Sequence, residues 1–269
     1  MTVTARSGVT LRVVALAYLA ALLMIPVGLV LYRTFEPGIG AVVDAVTTPA
    51  AISAFWLTIT ITLIAVPVNV VMGVVTALVL VRGRFRGKAL LEAIIDLPFA
   101  ISPVVVGLSL IFVYGANGWF GGALAGAGVQ VIFSLPGMVL ATVFVCLPFV
   151  VREVAPVLRE VGDEQEQAAA TLGASGWQTF SRVTLPAIRW GVAYGIVLST
   201  ARAIGEFGAV SVVSGKIAGQ TQTMTLLVEK RFQNFDLAGA YAASALLAVI
   251  ALATLAAMTL IKPRKEPST

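Results

Sequence analysis

Arg202 and Glu206 stand four residues apart in the stretch ARAIGEFGAVSVVSGKIAGQTQTMTLLVE, inside an otherwise apolar region. On a helix that spacing puts both side chains on one face. Ionisable groups at membrane depth are costly and therefore point to function. Two roles suit this pair: neutralising one another, or meeting a charged solute in transit. Hydrolytic chemistry does not suit the chain. It contains no histidine, so the commonest general base and metal ligand are missing. A paired-aspartate site needs two acids in spans, and only Asp96 lies near one. The single cysteine, Cys146, sits in VLATVFVCLPFVV and reads as a small buried hydrophobe. It can form neither an internal disulfide nor a cysteine metal cluster. A phosphate-binding loop needs G-x-x-x-x-G-K-[ST]; GRFRGKA has the wrong spacing and ends on Ala89. No catalytic residue and no metal ligand set is expected.

The elements holding these residues must be membrane spans. The 269 residues are 59% hydrophobic and only 12% charged, against about 25% charged in soluble domains. Mean hydropathy is +0.98. A net charge of +5 does not imply nucleic acid, because the basic residues cluster at the ends of apolar runs. The partner they imply is a lipid bilayer.

A span needs roughly 20 mostly apolar residues, and six segments qualify. They are Val13 to Tyr32, Phe55 to Val81, Leu97 to Tyr114, Leu135 to Val151, Trp190 to Ala209 and Leu237 to Ile261. The first is too long for a cleaved leader and lacks a clear cleavage site. Residues 1–12 and 262–269 are then tails around a membrane domain at 13–261. Arg82, Arg84, Arg86 and Lys88 follow the second span; Arg152, Arg159, Arg182 and Arg189 follow the fourth; Lys262, Arg264 and Lys265 follow the sixth. The positive-inside rule places these segments and both termini in the cytoplasm of a multi-pass plasma-membrane protein. Pro98, Pro103 and Gly107 interrupt the third span. They suit either the lining of a translocation path or a packing kink.

Residues 163–186 are different in kind. Glu164 to Leu172 are good helix formers with acids at the start, where they complement the helix dipole. Gly173 suits a helix end. Ser175 can cap a second short helix, GWQTFSRV, which Leu185-Pro186 then stops. Leu172, Trp177 and Phe180 offer anchors, either to the chain's own helix ends or to another protein.

This module resembles the EAA loop of permease subunits of ATP-binding-cassette importers. The matching positions are Gln167-Ala168-Ala169, Gly173, and Val183-Thr184-Leu185-Pro186, with Gln167 where the family usually has Glu. Glu166 lies about 100° away around a helix. The resemblance implies an all-α, type I importer permease fold whose loop is a coupling helix seated in a separate ATPase. ATP and Mg would be bound on that partner, with no cofactor on this chain. ARAIGEFGA is similar to permeases for tetrahedral oxyanions, sulfate and molybdate. SVVSGKIAGQTQT, DLPFAISPVVVGL and GASGWQTFSRVTLPAIRWG look like W-type permease subunits of sulfate/thiosulfate importers. The partners this implies are a T-type permease, an ATPase dimer and an extracytoplasmic sulfate-binding protein. Arg202, Glu206, Ser211, Ser214, Lys216 and Pro103 are then candidates for the translocation path. A molybdate or tungstate importer is the alternative. An ATP-independent channel or secondary transporter fits less well, because it would need no such module.

Overall fold

The computed structural model describes residues 5–261, with side chains over 11–256. Residues 1–4 of the expected N-terminal tail, and all of 262–269 with Lys262, Arg264 and Lys265, lie outside them. Among the described residues the ordered structure is helical, without strands.

The chain opens with α1 (Ala5–Phe35), α2 (Ile39–Thr47) and α3 (Pro49–Arg82). Thr48 caps α3, its hydroxyl accepting from Ala51 N at 3.2 Å, and Pro49 occupies the first turn, where a missing N–H costs nothing. Next come α4 (Lys88–Ala100), α5 (Pro103–Tyr114), α6 (Gly121–Gly126) and α7 (Leu135–Val161). The module comprises α8 (Glu164–Thr171), α9 (Gly176–Thr179) and a π-turn at Phe180–Thr184, and runs into α10 (Leu185–Ile204). The chain ends with α11 (Val210–Val213), α12 (Met224–Gln233) and α13 (Leu237–Ile261). α1, α3, α7 and α13 are long and apolar enough to cross a membrane.

Two expected spans are built differently. The third is not one kinked helix: α4 and α5 meet at 112°. Pro103 forces Ser102 out of helical geometry (φ −58°, ψ 133°), and Ile101 is extended too. The fifth ends at Ile204, before the expected Ala209, because Gly205 closes α10. α10 runs antiparallel to α7, Gly191 against Val157 and Gly195 against Val150, so that Glu206 arrives beside Thr142 and Thr58. There the chain breaks. α12 restarts with Met224 N donating to Thr58 Oγ1 at 3.0 Å, about 14 Å along α3 from its start. It ends where Arg231 donates to Ala45 O at 2.8 Å and Thr48 Oγ1 at 3.1 Å. α10 is not among the helices that are long and apolar enough to cross by themselves; α10, the broken segment 205–223 and α12 together run from the Arg82 end of α3 to its Ala45 end.

The core is where α3, α7 and α10 cross. Val150 is fully buried between Gly73 of α3 and Gly195 of α10, whose missing side chains let three backbones converge.

Candidate functional site

The module starts where α7 ends, at Gly162 (φ +70°). α8 then spans only eight residues, and Gly173 (φ +84°) turns the chain. Ser175 and Gln178 form a reciprocal capping box: Gln178 N donates to Ser175 Oγ at 3.3 Å, and Ser175 N to Gln178 Oε1 at 2.8 Å. The second helix does not stop at Leu185-Pro186. It passes through the π-turn, with Leu185 N donating to Phe180 O, directly into α10. Pro186 falls in the first turn of α10, where its missing N–H does not interrupt the helix.

One side of the module is tied inward by Glu166. Arg82, the last residue of α3, donates through Nε to Glu166 Oε2 at 3.0 Å and through Nη2 to Oε1 at 3.2 Å. The same guanidinium donates to Leu158 O at 3.1 Å and to Gly162 O. Thr184 of the π-turn donates to Glu166 Oε1 at 2.9 Å. The end of α3, the end of α7, α8 and the entry to α10 are thus joined at one carboxylate. The other side faces outward. Leu172 is 89% exposed and Trp177 74%. Gln167, Ala168, Gly173, Leu185 and Pro186 are exposed, and Ala169 is half-buried. The Gln167 side chain makes no hydrogen bond among the described residues. A cleft of about 320 Å³ lies beside Ala169, Leu172, Gly173 and Arg182. Polar ties thus hold the module to its own helix ends, while an apolar edge with Leu172 and Trp177 is left exposed.

The path candidates gather around the broken segment. Arg202 Nη1 lies 2.5 Å from Glu206 Oε2, and the Glu206 side chain is 1% exposed. Its other oxygen accepts from Ala209 N at 2.8 Å. Thr225 donates to its backbone carbonyl at 2.9 Å, joining the end of α10 to α12. Ser211 donates to Gly208 O at 2.8 Å. Ser214 donates to Thr221 O and accepts from Lys216 N at 3.0 Å, and Lys216 Nζ meets Glu229 at 3.0 Å. Pro103 packs against Gly208, where an added Cβ would lie 2.7 Å from the proline Cβ. Each polar candidate is thus engaged within the fold, and the ion pair fixes the helix break. Arg202→Ala is expected to destabilise the chain by about 3 kcal/mol, because it strands a buried carboxylate. Thermal unfolding of the purified complex checks this, with Arg202→Ala/Glu206→Gln falling closer to wild type.

Two sets of residues take part that the motif does not mark. Glu166 lies off the motif's register, and Arg82 belongs to the basic run after the second span. Asp96 and Arg152 were read singly, yet Arg152 Nη2 is 2.8 Å from Asp96 Oδ1. Arg152 and Arg159 are seven apart and Glu92 and Asp96 four apart, so each couple shares a helix face. That spacing was the available signal.

The family described as binding-protein-dependent transport system inner membrane component matches residues 69–267. The sulfate transport system permease protein CysW of Synechocystis sp. is 49% identical over 250 residues, covering 93% of this chain and 91% of that one. The sulfate transport system permease protein CysT of Escherichia coli is 37% identical over 241 residues, covering 90% and 86%. In fold the chain is similar to a chain of a bacterial alginate ABC transporter, solved in complex with a pentasaccharide-bound periplasmic protein. The TM-score is 0.75 at 18% identity, over 96% of this chain and 95% of that one.

Proposed function

The chain belongs to the binding-protein-dependent transport system inner membrane components, and on that premise we propose that it is a permease subunit of an ATP-binding-cassette importer carrying sulfate into the cytoplasm. The observation that carries the substrate is the near full-length identity with sulfate permeases. The chain is the membrane component and does no chemistry of its own. ATP and Mg²⁺ belong to a separate pair of ATPase subunits. The exposed Leu172–Trp177 edge of the module docks into them, and ATP-driven closure of the pair draws the docked modules together. The Glu166 tie passes that movement to α3 and α10. The spans respond as a two-state element biased by ATP.

The second permease of the complex is a T-type relative of this chain, and an extracytoplasmic sulfate-binding protein delivers the ion. The Arg82 end of the bundle lies in the cytoplasm, with both termini there. The Ala45 end faces the binding protein. Vesicles containing the four kinds of subunit should accumulate sulfate only with ATP. Uptake without ATP or without the ATPase would refute this, and stronger competition by molybdate than by sulfate would reassign the substrate.

A further inference from the structure

Arg152 sits in α7, and every stretch of roughly 20 residues in that 27-residue helix contains it. Arg152 directly follows the apolar run 135–151, so a crossing of about 20 residues that starts with α7 takes it in at the cytoplasmic edge of the hydrocarbon core. Its side chain is nevertheless 58% exposed on the chain's surface, and that of its partner Asp96 is 47% exposed. Charged groups at such depth do not face lipid; they face protein or water. The pair is held in place. Arg152 Nε also meets Asp96 Oδ1, at 3.1 Å, and the guanidinium lies 5.1 Å above the Phe99 ring. Two turns further along α7 and one turn back along α4, Arg159 faces Glu92 at 3.8 Å, again with both side chains about half exposed. The four charges line a groove of about 410 Å³ between α4 and α7, with Leu80 and Pro156 among its walls.

We propose that this α4–α7 face is a wall of the water-filled passage, and that Arg152 contacts the small tetrahedral dianion as it crosses. This rests on the importer reading above. Two observations favour water over a protein cover. The charges are already paired with one another, so no partner charge is required of a neighbouring subunit. The α4 wall of the groove, Glu92 to Asp96, ends about one turn before the 112° break between α4 and α5, and broken backbone at membrane depth is tolerated next to a cavity. The wall carries two guanidinium and two carboxylate groups, hence no net charge. A dianion can exchange with Asp96 at the guanidinium without being trapped. Removing Arg152 alone leaves an unbalanced carboxylate that repels the ion; removing both charges does not.

The test uses the whole complex in vesicles. The only native thiol, Cys146, is fully buried, so the wild-type chain serves as the unlabelled control. Asp96→Cys and Pro156→Cys, the latter leaving both ion pairs in place, should react with a membrane-impermeant anionic thiol reagent, and millimolar sulfate should slow that reaction severalfold. No labelling at either position, with or without ATP, would overturn the proposal and indicate a protein-covered face. Arg152→Gln should lower sulfate uptake at least tenfold with the ATPase still bound, and Asp96→Asn/Arg152→Gln should recover to within about threefold of wild type. Uptake by Arg152→Gln equal to wild type would also overturn it. If wild-type vesicles take up no sulfate, the substrate reading fails, while labelling still reports whether the wall meets water.

Discussion

Replacing Glu166 with alanine is expected to leave ATP hydrolysis largely intact while sulfate uptake falls at least tenfold. Glu166 receives Arg82 of α3 through two hydrogen bonds and Thr184 of the π-turn through a third. Without the carboxylate, Arg82 still has the carbonyls of Leu158 and Gly162, so the end of α7 stays attached. Thr184, only 5% exposed, loses its acceptor. The local loss is about 2 kcal/mol, as for a hydrogen bond to a charged group. That is too little to unfold the chain but enough to let α8 move independently of α3 and α10. A displacement imposed on Leu172 and Trp177 would then be absorbed in the module. Glu166→Gln keeps an acceptor for Thr184 and should be intermediate. The measurement is ATP hydrolysed per sulfate transported, and an unchanged ratio in the alanine variant would refute the role of this tie.

A larger loss of stability is expected from Gly73→Val. A Cβ at Gly73 would lie 2.6 Å from Val150 Cβ and Cγ1, far inside contact distance. Val150 has nowhere to go, because a Cβ at Gly195 on the opposite side would already be 3.1 Å from Val150 Cα. α3 and α10 must separate from α7, and overpacking of this kind costs up to about 3 kcal/mol. The melting temperature of the purified complex should drop by several degrees or more. Val150→Ala in the same chain should restore part of it, because it removes Cγ1, one of the two clashing atoms, while Cβ remains. Wild-type melting for Gly73→Val alone would show that the three helices are not packed as described.

Local sequence carried much of the fold. Composition and apolar run length identified a helical membrane protein, because hydrocarbon must be met by apolar side chains and leaves the backbone few options. Short-range chemistry was legible too. Gly173 as a helix end and Ser175 as a cap are decided by residue type and near neighbours, and the structure adds Gln178 as the reciprocal partner of Ser175. The boundaries that failed were set by neighbours. Run length could not show that the third span breaks at Ser102, or that α10 stops at Ile204 and the run to the Ala45 end of α3 is completed by α12. Those breaks are stabilised by distant partners such as Thr58 with Met224, and Pro103 with Gly208.

The same division applies to the candidate sites. Four-residue spacing placed Arg202 and Glu206 on one face, and the ion pair follows. Only the packing of α3, α7 and α12 around Glu206 made it a buried structural group. Glu166 looked displaced by one position from a motif; Arg82, 84 residues away, gives it its place. Asp96 and Arg152 are 56 residues apart; spacing puts Asp96 on one face with Glu92 and Arg152 on one face with Arg159, but only the packing of α4 on α7 pairs them. The sequence by itself determined the class, the spans as apolar segments, the module and the family resemblance, since all of these rest on residue type and local spacing. The tertiary structure alone decided which charges are buried, which tie the module to the spans and which face a groove, because these depend on contacts between residues that chain separation leaves unspecified.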